Sequence, residues 1–129
     1  MKTAQIIKVG RVLSVLIVLL GIIHEAATYS PLIKGGLMSL DKGTLSSMLY
    51  MSLICGAFLI MSGILLFMLL KHIEKYHFLS NIIFTIGIFL AINGVLSVFY
   101  MFDNPFAWLA LILNIGTFII TLRLKLILK

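Results

Sequence analysis

Leu45 to Leu70 reads LSSMLYMSLICGAFLIMSGILLFMLL, without one charged side chain. A bilayer core about 30 Å thick needs about 20 apolar residues at a helical rise of about 1.5 Å each. This stretch meets that length. In hydrocarbon every backbone N–H and C=O must be bonded within the segment, so such a run is a helix. Three further apolar runs flank it, at about Ile6–Ala27, Phe78–Phe102 and Pro105–Leu122. The alternating pattern of a membrane β-strand is absent. The expected fold is therefore all-α. Residues 1–129 form one domain, an up-down bundle of four transmembrane helices at about 5–28, 44–70, 78–102 and 105–125.

Composition agrees with this reading. Of 129 residues, 62% are hydrophobic and 11% charged. Soluble domains hold about 45–50% apolar and about 25% charged residues. A disordered chain needs low hydrophobicity and high net charge. The net charge of +6 does not point to nucleic acid, because the basic residues sit at the ends of apolar runs. The lone Cys55 excludes an internal disulfide.

The connections carry stop and start signals. Tyr29-Ser30-Pro31 ends the first helix, since a residue before proline disfavours the helical region. Thr44 or Asp41 is the expected cap of the second helix, and Asn104 or Asp103, followed by Pro105, caps the fourth. Lys71 to His77 reads as a short charged turn.

Lys2, Lys8, Arg11, Lys71, Lys75, Arg123, Lys125 and Lys129 fall on one side, and only Lys34 and Lys42 on the other. The positive-inside rule then puts both termini in the cytoplasm. A signal-peptide reading of the first run competes with this. A cut after Ala27 would put Glu25 at the −3 position, where a small residue is wanted, so the uncleaved reading is preferred. Gly21 to Pro31 and Gly94 to Pro105 hint at a two-helix repeat, but chance explains two such marks in an apolar background better.

Polar groups inside a membrane are costly and point to function. The amide, imidazole and carboxylate groups fall in the outward half, whereas Ser14, Ser62, Thr85, Thr117 and Thr121 can bond back to their own helices. His24 and Thr28 share a face, and Asn93, Ser97 and Tyr100 form another stripe. If both stripes face the bundle axis, a polar cleft opens outward, with Asn114 or Ser52 as its floor. The candidate ligand-binding residues are thus His24, Glu25, Thr28, Ser52, Asn93, Ser97, Tyr100 and Asn114. The bland alternative is interhelical bonding that only holds the bundle together, at about 0.6 kcal/mol per bond.

No metal or cofactor is expected. His24-Glu25 resembles the start of the zinc-protease pattern H-E-x-x-H, but position 28 is threonine. His72 and His77, beside Glu74, belong to the solvated turn on the other side, and no second histidine lies at His24's depth for a haem. Glu25 is expected to be hydrated at the interface, paired with Lys34 or Lys42. The bilayer itself is the main expected partner, with no nucleic acid. Small residues at Ser52, Gly56, Gly63, Gly87 and Ala91 would serve packing within the bundle or a homo-oligomer. Tyr29, Tyr50, Tyr100 and Trp108 mark the outer interface and Tyr76 the inner one.

The segments Gly21-Ile22-Ile23-His24 with Thr28 and Pro31, Leu49-Tyr50-Met51, and Met101-Phe102-Asp103-Asn104-Pro105-Phe106-Ala107 carry a resemblance. The chain resembles small bacterial four-helix membrane proteins of unassigned function, similar in size and layout to DoxX-like proteins. That resemblance implies a multi-pass protein of the bacterial cytoplasmic membrane and supplies no catalytic residues. The paired acids of sterol-isomerase-like proteins and the cysteine pair of quinone-linked oxidoreductases are absent.

Three activities fit these residues. The first is binding of a small amphiphile or a partner helix in the cleft. The second is a small proton-coupled transporter subunit using Glu25 or His24. The third is an enzyme acting on a lipid, with His24 as acid/base and Asn93 orienting the substrate. The charge count predicts that a reporter fused after Lys129 is cytoplasmic; an external reporter would overturn the orientation.

Overall fold

The structure, a computed structural model, describes residues 3–30 and 40–128. Four helices follow one another: α1 (Thr3–Thr28), α2 (Lys42–His72), α3 (Leu79–Tyr100) and α4 (Pro105–Ile127). Each is long and apolar enough to cross a membrane. Pro31, Lys34 and the Gly35-Gly36 pair lie outside the described residues, as do Lys2 and Lys129.

The caps explain the boundaries. The Asp41 carboxylate accepts hydrogen bonds from the Gly43 and Thr44 N–H groups at 2.9 and 3.1 Å. These satisfy donors that the first turn of α2 leaves orphaned. Asn104 does the same for Phe106 at 3.0 Å, with Pro105 at the start of α4. The apolar run of α3 continues to Phe102, yet the helix stops at Tyr100. Met101 takes a non-helical conformation, and Asn104 N–H bonds its carbonyl in a tight turn at 3.0 Å. Hydropathy sets where a helix is comfortable, whereas turn chemistry sets where it ends.

Two hairpins make up the bundle, α1 against α2 and α3 against α4. They join mainly through α1 and α4, and α2 meets α3 more sparsely. Leu59, Leu66, Ile17, Ile83, Leu90 and Leu124 belong to the buried core. Leucines and isoleucines around the outside remain exposed, as expected for a surface solvated by lipid. Helix α2 has 31 residues and α1 has 26. Thr28, the last residue of α1, meets Ser52. The part of α2 before Ser52 therefore projects beyond α1 by about 15 Å at 1.5 Å per residue.

Glycines set the helix spacing. A Cβ on Gly21 would lie 2.7 Å from Ile60 and 2.9 Å from the Gly56 carbonyl. One on Gly63 would lie 2.6 Å from Val18 and 2.7 Å from the Ser14 carbonyl. One on Gly87 would overlap the Thr121 hydroxyl. Gly56, Gly63 and Gly87 thus serve close packing inside this chain.

Gly87→Val should force α3 and α4 apart and destabilise the bundle by about 1–3 kcal/mol, the usual cost of overpacking. Gly116→Ala should be tolerated, because its new methyl would only touch Leu13 at 3.9 Å. Thermal midpoints in detergent compare the two; equal midpoints would contradict the packing. A second prediction concerns Asp41. Its bonds to the Thr44 side chain and backbone hold its carboxyl below the ordinary range. The cap is then fully present above the usual carboxylate pKa and is lost as pH falls through Asp41's lowered one. Amide exchange at Gly43 and Thr44 should accelerate in that acidic window, and Asp41→Ala should remove the pH dependence.

Candidate functional site

Three polar side chains meet on the α1–α2 seam. Thr28 lies one turn beyond His24 on α1, and Ser52 faces both from α2. The Thr28 and Ser52 hydroxyls share a hydrogen bond of 2.7 Å. His24 Nε2 lies 3.1 Å from Ser52 Oγ and 3.2 Å from the Ser52 carbonyl. Thr28 Oγ1 also reaches the His24 carbonyl at 2.9 Å. Thr28 is buried, while His24 and Ser52 are half-buried. With Thr28 donating to the His24 carbonyl and Ser52 donating to Thr28, Nε2–H donates to the Ser52 carbonyl. Nδ1 then has no partner among the described residues.

Glu25 is one residue further along α1 and lies on Gly56, one turn beyond Ser52. A Cβ there would run into the Glu25 carboxylate, with its Cδ at 2.8 Å and Cγ at 2.9 Å. Glycine therefore makes the seat for this side chain. Glu25 is half-buried, and no hydrogen bond or ion pair to another described residue holds its carboxylate. Lys42 is exposed and makes no ion pair with it; Lys34 lies outside the described residues.

A second polar line crosses from α2 to α4. Asn93 Nδ2 donates to Cys55 Sγ at 3.6 Å, and Asn114 Nδ2 donates to Asn93 Oδ1 at 3.3 Å. Asn114 is completely buried, and its Oδ1 accepts nothing from the described chain. Gly94 gives it room, since a Cβ there would approach Asn114 Cβ to 3.1 Å. Ser52 and Cys55 are three apart on α2, so one helix carries a member of each group. No hydrogen bond joins the two groups.

The remaining candidates stand apart. Ser97 bonds back to the Asn93 carbonyl at 2.9 Å within its own helix. Tyr100 is 77% exposed and meets Phe99 edge-on. At the same end of the bundle Trp108 Nε1 donates to the Phe102 carbonyl at 2.8 Å. Residue type and spacing singled out both asparagines but missed Cys55 as their third partner and Gly56 as the seat of Glu25. A usable signal existed, because Cys55 and Gly56 follow Ser52 by three and four residues on the face that α2 turns inward.

Chemically, the α1–α2 seam offers a carboxylate free to accept hydrogen bonds or hold a cation, beside an imidazole Nδ1 free to accept a hydrogen bond. Among the described residues no three histidine, cysteine or acidic side chains gather in a metal-holding group.

No family model, curated protein or solved structure matches this chain.

Asn93→Ala should leave Cys55 and Asn114 both without a partner while opening space beside the thiol. Maleimide labelling of Cys55 in detergent should speed up several-fold over the parent protein. An unchanged labelling rate would contradict the Asn93–Cys55 contact.

Proposed function

We propose that this is a multi-pass protein of a bacterial cytoplasmic membrane, with both termini inside, that binds the polar head of a small amphiphile from the outer leaflet. The reading rests on one observation: the half-buried Glu25 carboxylate, seated on Gly56 without a partner in the described chain. Withdrawing a carboxylate from water is costly unless hydrogen bonds or a counter-charge replace its hydration. A ligand head carrying an ammonium group supplies both. His24 beside it offers a second polar contact, and the apolar flanks of α1 and α2 accommodate a hydrocarbon tail. Orientation is supported by the basic residues gathered at one end, and the bacterial setting by the resemblance in the helix-end segments.

Binding fits this geometry better than hydrolysis does. The Ser52–His24 distance suits a nucleophile and base. However, Thr28 shares the Ser52 hydroxyl, and no described side chain orients His24 through Nδ1. Transport is also less well supported. Glu25 lies within one turn of the end of α1, whereas coupling sites lie near the midplane.

The test is a titration of the protein, in neutral nanodiscs, with dodecylamine and with dodecanoate. Dodecylamine should bind saturably and dodecanoate should not. Glu25→Gln should weaken the amine at least tenfold. Non-saturable partitioning of both compounds into parent and variant alike would refute the proposal.

A further inference from the structure

The opposite end of the same helix pair carries a second feature. An open groove of about 620 Å³ runs along α1 and α2, and Lys8, Arg11 and Glu74 lie among its lining residues. Ala4, Ile7 and Val12 make part of its apolar wall. Arg11 lies over the Phe67 ring, 4.8 Å from its centroid. Val15 and Phe67 also line a second groove, of about 220 Å³, which continues along Val18, Gly63, Ile64 and Met68. Apart from Ser14, which bonds back to the Arg11 carbonyl at 2.8 Å, the side chains lining that continuation are apolar.

Lys8 and Arg11 are three apart on α1 and share one face. Neither makes an ion pair among the described residues, although Glu74 lines the same mouth. The mouth therefore keeps a net positive charge. A cationic mouth that opens into an apolar channel matches a phosphate joined to an acyl chain. Guanidinium is suited to phosphate by its planar fork of donors, and lysine acts as a point charge. Basic pockets between transmembrane helices on the cytoplasmic side are a recognised form of anionic headgroup site. Ile64 and Met68, both exposed, supply the α2 side of that apolar continuation.

We propose that this groove is a binding site for one anionic phospholipid. Lys8 and Arg11 hold its phosphate, Glu74 accepts a hydrogen bond from a headgroup hydroxyl, and an acyl chain lies along Val15, Val18, Ile64 and Phe67. This site is independent of the one at Glu25.

Native mass spectrometry of the detergent-solubilised full chain tests it, with phosphatidylglycerol and phosphatidylcholine as probes. The parent protein should retain one phosphatidylglycerol at least tenfold more strongly than phosphatidylcholine. Lys8→Gln with Arg11→Gln should abolish that preference with helix content unchanged by circular dichroism. Phe67→Ala, which keeps both cations, should weaken it. Lys125→Gln is the control, because Lys125 lies over Phe84, 4.1 Å from the ring centroid and outside the groove; it should keep the preference. Equal retention of the two lipids by the parent would overturn the proposal. So would full preference in the double variant, equal loss in Lys125→Gln, or displacement of the lipid by millimolar inorganic phosphate, which would mean a simple anion site.

Discussion

Four apolar helices in a bilayer gain little by touching, because lipid tails are as apolar as leucine. What holds them is close backbone approach, and here that approach depends on glycine. Gly21, Gly56 and Gly63 bring α1 and α2 together, while Gly87 and Gly94 do the same for α3 and α4. Dispersion contacts and interhelical hydrogen bonds become available only once the helices are this close. The leucine and isoleucine core fills the space that the glycines leave, and α1 with α4 ties the two hairpins together.

The same closeness arranges the polar groups. Ser52 reaches His24 and Thr28 because the helices approach at Gly21 and Gly56. Asn114 reaches Asn93 because Gly94 makes room beside it. These bonds hold the bundle and leave few polar groups unsatisfied. The exceptions are informative. Glu25 occupies its seat on Gly56 unpaired, and Asn114 keeps one buried acceptor without a donor. The opposite end of the bundle carries cations on aromatic faces, Arg11 on Phe67 and Lys125 on Phe84. One helix pair thus presents a carboxylate at one end and a cationic groove at the other.

Much of the fold is legible from the residues alone. Hydropathy marks the four helices, and Asp41, Asn104 and Pro105 mark two of the starts through capping chemistry. The end of α3 is less legible, since Met101 and Phe102 are as apolar as the residues before them. The site divides in a similar way. Residue type picks out His24, Glu25, Asn93 and Asn114 because each is costly in hydrocarbon. Which partner each one takes depends on relative helix rotation and depth, which spacing along one helix does not contain. Cys55 falls among the polar residues of the second run, but its pairing with Asn93 becomes visible only once α2 and α3 are set side by side. Tyr100 falls on the Asn93 stripe by periodicity, yet it ends α3 and stays exposed.

Helices α1 and α2 of one chain meet through the face bearing Thr28, Ser52 and Gly56. Disulfide trapping in native membranes tests it most directly. The variant carries Thr28→Cys and Ser52→Cys, with Cys55→Ser to remove the native thiol. Mild oxidation should give a rapid, nearly complete cross-link within the monomer, because the two native hydroxyls lie 2.7 Å apart. Failure to form it, or a cross-linked dimer in its place, would show that this face meets something other than its own neighbouring helix.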